Sequence, residues 1–142
     1  MNGRYLLRAQ QLLHLADDAP RAIQSWVRDN ADAVMYVTVI GVARARAHIE
    51  RLPDPAERRE FERRLDATLA TLQVRGTMPL AFDDLAARAW QSMLIDSALS
   101  DVPKIALQEY AIAVVYGLAV VEHGKPEHAV LKTLGVEIEA LA

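Results

Sequence analysis

Residues 34–53 read VMYVTVIGVARARAHIERLP. The first part, Val34 to Ile40, is rich in β-branched residues and apolar at consecutive positions, as suits a strand buried on both faces of a parallel sheet. Gly41 ends that strand, and Val42 to Leu52 then reads as a helix stopped by Pro53. The same alternation extends in both directions. Upstream, Arg4-Tyr5-Leu6-Leu7 is a short apolar run suited to a first strand, and Ala22 to Val27 reads as a short helix after the start signal Asp18-Ala19-Pro20. Downstream, Asp54 and Pro55 open a helix that runs to about Val74, with Phe61, Leu65, Leu69 and Leu72 at helical spacing and Arg75-Gly76 closing it. Leu80 to Phe82 reads as a short strand, and Asp83 or Asp84 caps a helix through Leu99. Pro103 opens another helix to Tyr116, with Gly117 as its stop. Leu118 to Val121 is a further apolar run, followed by a small helix over Glu127 to Leu134 and a last run from Val136 to Ile138. Strands alternating with helices predict an α/β fold, a three-layer α/β/α sandwich around a mainly parallel central sheet.

The 142 residues and 15.7 kDa fit a single domain, 1–142. With 52% hydrophobic and 25% charged residues, the chain carries enough apolar surface for a packed core and is not a disordered tail. The absence of cysteine removes disulfides, zinc–thiolate sites and thiol nucleophiles. A net charge of -3 argues against a strongly basic nucleic-acid coat protein. That charge is unevenly spread: residues 1–75 hold 12 arginines against 10 acids, whereas residues 76–142 hold 4 basic residues against 9 acids. No secretory signal is read at the start and no apolar run reaches about 18 residues, so a soluble, cytoplasmic chain without membrane contact is expected. There is no glycine-rich phosphate loop and no G-x-S-x-G elbow.

Four segments in register resemble PIN-domain toxins of the VapC and FitB kind. They are Arg4-Tyr5-Leu6-Leu7; Val37-Thr38-Val39-Ile40 leading into Ile49-Glu50-Arg51-Leu52-Pro53; Leu80-Ala81-Phe82-Asp83 followed by Ala86-Ala87-Arg88-Ala89-Trp90; and Ala111 through Leu118. The resemblance covers nearly the whole chain. It implies a PIN-like fold, magnesium- or manganese-dependent RNA cleavage by three or four carboxylates at the carboxyl ends of the strands, an antitoxin-like protein partner, and homodimers. Hard divalent cations need several anionic oxygens, and the metal activates water while neutralising the scissile phosphate.

This chain departs from the family at those carboxylate positions. The aspartate after the first strand is replaced by Arg8, the helix-borne glutamate aligns onto Arg44, and the remaining two acidic positions fall on Ala106 and Gly124. Four acids become two arginines and two neutral residues, a reversal that opposes cation binding. The resemblance therefore implies a degenerate PIN-like domain with no catalytic residues of the family's kind and no metal cofactor, acting as a binding, regulatory or dimerisation module. Two alternatives stand beside it. Glu109, one helical turn beyond Ala106, and Glu122, two residues before Gly124, could be relocated ligands for Mg or Mn in an active endoribonuclease, joined by Asp17, Asp18, Asp96 or Asp101; otherwise they are salt-bridge partners for Arg8 and Arg44. Alternatively, Arg8, Arg44 and Arg46 line an anion-binding cleft that holds RNA without cutting it. His14, His48, His123 and His128 read as surface or loop residues, since no histidine has a placed catalytic partner. The apolar helix bearing Leu107, Tyr110, Val114 and Tyr116 is either central to the fold or one half of a dimer seam, with Ala86, Ala89, Trp90 and Met93 as a second flat face.

Overall fold

The computed structural model describes residues 3–74 and 78–142. Four short strands form a fully parallel sheet: β1 (Arg4–Leu6), β2 (Val34–Tyr36), β3 (Ala119–Glu122) and β4 (Glu137–Ala140), in the order β2-β1-β3-β4. Helices α1 (Ala9–Leu15), α2 (Ala22–Asp29), α3 (Val39–Glu50), α4 (Pro55–Val74), α5 (Asp84–Leu94), α6 (Lys104–Tyr116) and α7 (His128–Thr133) make the connections. The alternation of a strand explains the layers. Leu7 and Val121 enter one core with Leu12, Ile23, Ile49 and Leu65 from α1 to α4. Their neighbours Leu6 and Val120 enter a second core with Met93, Leu107, Ile112 and Leu131 from α5 to α7. Two cores on opposite faces of one sheet are the expected α/β/α sandwich. No helix among the described residues is long and apolar enough to cross a membrane.

Several boundaries differ from the sequence reading, each for a local reason. The strand expected over 34–40 is only Val34–Tyr36, because the Thr38 hydroxyl accepts from the Gly41 N–H at 2.8 Å and caps α3 three residues early. A cap of this kind outweighs the β preference of Val39 and Ile40. Gly41, expected to end a strand, thus lies in the first turn of a helix. Of the strand expected over Leu80 to Phe82, only a parallel bridge from Leu80 to Thr38 is present. The helix expected through Leu99 stops at Leu94, and Asp96 accepts from the Ala98 N–H to start a separate 3-10 turn over Ser97–Leu99. α1 was not anticipated at all. α6 runs to Gly117, which adopts a left-handed φ of 64°. The closing signal Arg75-Gly76 lies outside the described residues.

Candidate functional site

β1 and β3 are neighbours, with Leu6 opposite Val120. Two residues further along each chain, that register brings Arg8 beside Glu122 at the carboxyl end of the sheet, the edge where open α/β sheets place their sites. Arg8 N-caps α1 by backbone alone, since its side chain makes no cap hydrogen bond. The side chain turns inward instead. Its Nη1 donates to Glu122 Oε2 at 2.9 Å, and the guanidinium carbon lies 4.1 Å from the centre of the Tyr110 ring on α6. Its Nε sits 3.5 Å from Glu109 Oε2 without hydrogen-bond geometry.

Glu109 is fully buried in the middle of α6. Its Oε1 accepts the Ala9 N–H at 3.0 Å, at the first turn of α1, and its Oε2 accepts from Arg44 Nη1 at 2.5 Å. Gly41 makes room for this carboxylate: a Cβ there would lie 2.7 Å from Glu109 Oε1. Glu122 is equally enclosed. The Tyr110 hydroxyl donates to its Oε1, His128 Nε2 lies 2.7 Å from the same oxygen, and Lys125 Nζ is 3.7 Å from Oε2. The Lys125 N–H donates to His128 Nδ1 at 3.3 Å, which leaves Nε2 as the ring nitrogen that donates to Glu122.

The electrostatics follow from this crowding. Burial pushes the Glu122 carboxyl up, but Arg8, the Tyr110 hydroxyl, Lys125 and His128 together hold it below the usual carboxylate range. Burial raises the Tyr110 phenol well above its ordinary value against the pull of Arg8, so it stays a donor. Burial would lower the Arg8 guanidinium, yet Tyr110, Glu122 and Glu109 raise it, so it remains charged. Arg8, Arg44 and Lys125 against Glu109 and Glu122 leave the cluster at +1.

Placement of the other sequence candidates is uneven. Ala106 is buried in the first turn of α6, and Gly124 lies exposed beyond β3 with open space around it. Arg46 is exposed and pairs with Asp66 on α4 at 3.0 Å, away from Arg8 and Arg44. Asp17 pairs with Arg21, Asp96 caps the 3-10 turn, and Asp18 and Asp101 are exposed. His48 and His123 are exposed as expected; His14 is half-buried. His128 corrects the surface reading, since its hydrogen bond to Glu122 lets it be buried. Leu107 and Tyr110 of the apolar helix face the chain's own core. Tyr110, Lys125, His128 and Gly41 were missed. A usable signal was present for Glu109, the only charged residue between Lys104 and Glu122.

A divalent cation does not fit these residues as they stand. Among the described residues no group of three or more histidines and acids gathers as metal ligands. Glu109 and Glu122 instead share a cation of the chain's own, the Arg8 guanidinium, at 3.5 and 2.9 Å. Beside the cluster, α1, α3 and the start of α4 enclose an open groove of about 980 Å³ whose lining includes Gln10, His14, Arg44, Arg51, Phe61 and Ile105. Arg44 belongs to both the groove and the cluster.

No family model matches the sequence, and no curated protein does. Solved structures do match. A chain of VapBC2 from Rickettsia felis, solved on a DNA fragment from its promoter, superposes with a TM-score of 0.77 at 12% identity over 98% of this chain and 99% of that one. A chain of FitAcB from Neisseria gonorrhoeae gives 0.73 at 17% identity over 94% and 95%. A chain of VapBC-5 from Mycobacterium tuberculosis, of the VapBC family of toxin–antitoxin systems, gives 0.69 at 20% identity over 98% and 99%. The fold is therefore that of the PIN-domain toxins.

Proposed function

We propose that this chain is a degenerate PIN-like domain of the toxin–antitoxin kind, which binds an antitoxin-like protein and does not cut RNA through a bound metal. The observation that carries the reading is Arg8, a buried guanidinium against both carboxylates of the strand-end site. Breaking a buried pair by removing one partner typically costs about 3–5 kcal/mol, so an incoming cation would have to displace Arg8 against that resistance. A protein partner is supported by the solved neighbours, which are two-protein assemblies, and by the groove beside Arg44, which is large enough for a chain segment. Self-pairing is a further expectation, supported by exposed Leu85, Leu94, Ile95 and Ile105 around α5 and the start of α6.

The test is RNA cleavage by the purified chain in excess magnesium or manganese against the same sample in chelator. Equal, background-level products are expected. Metal-dependent cleavage that disappears in Glu109→Gln and in Glu122→Gln would replace this reading with that of an active endoribonuclease. A second reading, RNA held without cutting, is favoured by Arg44 and Arg51 on the groove wall. It requires RNA affinity that falls steeply with salt.

A further inference from the structure

The groove beside the cluster has one basic wall. On α3, Arg44, His48 and Arg51 stand at i, i+4 and i+7, a single helix face, with the small Ala47 between them. No acid of α3 shares that wall. Leu13 on α1, Phe61 on α4 and Ile105 at the start of α6 add apolar lining, and Ile105 stands 47% exposed. The two acids of the lining have local explanations. Asp17 is taken by Arg21 at 2.9 Å, and Glu57 sits in the first turn of α4, where the helix dipole favours a negative charge. On the basic wall, Arg44 gives one nitrogen to Glu109. The Arg51 side chain has no hydrogen bond or ion pair among the described residues.

We infer that this groove takes an amphipathic helical segment of a partner protein whose polar edge is acidic, and that Arg51, together with Arg44, reads that charge. The inference deepens the proposed function and rests on its protein partner. A helix laid in a groove is held by anchors at i, i+3, i+4 and i+7. Seven residues of helix rise about 10 Å, so acids seven apart on the incoming segment repeat the spacing of Arg44 and Arg51. Its apolar stripe would cover Leu13, Phe61 and Ile105. A segment with lysine or arginine at those places meets two guanidiniums and is refused, so the wall selects as well as attracts. RNA fits less well. A single strand carries a phosphate at every nucleotide and favours a continuous cationic track with aromatic faces for its bases. Here the arginines of α3 occupy one wall, Glu57 stands on the lining, and Phe61 is the one phenyl ring there among the described residues.

The probe is a displayed library of random peptides about four helical turns long, selected against the full chain. Enriched peptides are then measured by fluorescence anisotropy on the natural chain and on two variants of exposed side chains, Arg51→Glu and Ile105→Ser. An unchanged unfolding midpoint checks that both variants fold. The enriched peptides are expected to carry aspartate or glutamate beside an apolar helical stripe. Each variant should weaken them about tenfold or more. Replacing their acids with lysine should abolish binding to the natural chain and restore part of it on Arg51→Glu. Enriched peptides that are basic, or that ignore Arg51→Glu and Ile105→Ser, would overturn the inference while leaving a protein partner standing. If nothing is enriched, the inference is overturned. A single-stranded RNA oligonucleotide bound by the natural chain and lost in Arg51→Glu would then assign the groove to RNA and overturn the protein partner as well. Metal-dependent RNA cleavage remains a separate measurement, and it bears on the proposed function alone.

Discussion

Two ion pairs in this protein have the same length and different surroundings. On the solvated face of α4, Arg63 Nη2 lies 2.5 Å from Glu60 Oε1, with side chains 68% and 48% exposed. At the sheet edge, Arg44 Nη1 also lies 2.5 Å from Glu109 Oε2, with side chains 29% and 0% exposed. Distance does not separate them; access to water does. In high dielectric the attraction is weak and screened, and holding two long side chains together costs entropy. Inside, the same contact is strong, yet each charge has lost its hydration, so the cost of leaving one unpaired is what dominates. The α4 pair therefore decorates a helix, whereas the buried cluster ties β1, β3, α1, α3 and α6 into one arrangement.

The largest expected difference comes from cutting the cluster at Glu122, where Arg8, Tyr110, Lys125 and His128 converge. Glu122→Ala leaves the Arg8 guanidinium without its short ion pair and should cost about 3–5 kcal/mol in denaturant unfolding, a large part of the ~5–15 kcal/mol total of a typical domain. A loss no bigger than that of an α4 surface variant would erase the contrast. Acid should act on the same residue. Its carboxyl is held below the ordinary value of 4.5, so its contribution is complete above about that pH and is lost as pH falls through the lower folded value. In Glu122→Gln the loss of stability with acid should be shallower.

Gly41 gives the next effect. In an exposed helix interior, glycine to alanine gains up to about 1 kcal/mol. Here the new Cβ would lie 2.7 Å from Glu109 Oε1 and 3.2 Å from Thr38 Oγ1. The carboxylate would have to leave the Ala9 N–H, so Gly41→Ala should lose about 1–3 kcal/mol. A gain would mean that Glu109 yields easily and that the cluster is softer than its burial implies.

The same division by burial explains which features could be read from sequence. α4 and α6 were legible because their signals are local: Asp54 and Pro55 at one start, Pro103 and Gly117 at either end of the other. The early start of α3 was not, because a single Thr38 hydroxyl overrode the β preference of Val39 and Ile40. In the site, Arg8 and Arg44 stood out only through the resemblance to the toxin family, by occupying places where acids were expected. Glu109 could be suspected as one charge in a long apolar stretch. Tyr110, Lys125 and His128 could not, because their meeting at Glu122 depends on the β1–β3 register and the seating of α6, contacts between residues distant in sequence.

Arg46 tests the division with the smallest effect. It lies two residues from Arg44 on α3, and in the sequence reading the two share a cleft. In the structure Arg46 points away to Asp66, with side chains 46% and 62% exposed, while Arg44 reaches the buried Glu109. One helix thus presents the same residue type to water and to the interior, with backbone propensity held constant. Arg46→Ala should change stability by no more than about 0.5 kcal/mol, and in high salt even that should fade as screening removes the attraction to Asp66. Arg44→Ala, which takes a partner from a buried carboxylate, should cost clearly more and keep its cost in salt. Equal losses from the two variants, or equal salt dependence, would mean that solvent reaches Glu109 as freely as it reaches Asp66, and the contrast between the cluster and the surface would no longer stand.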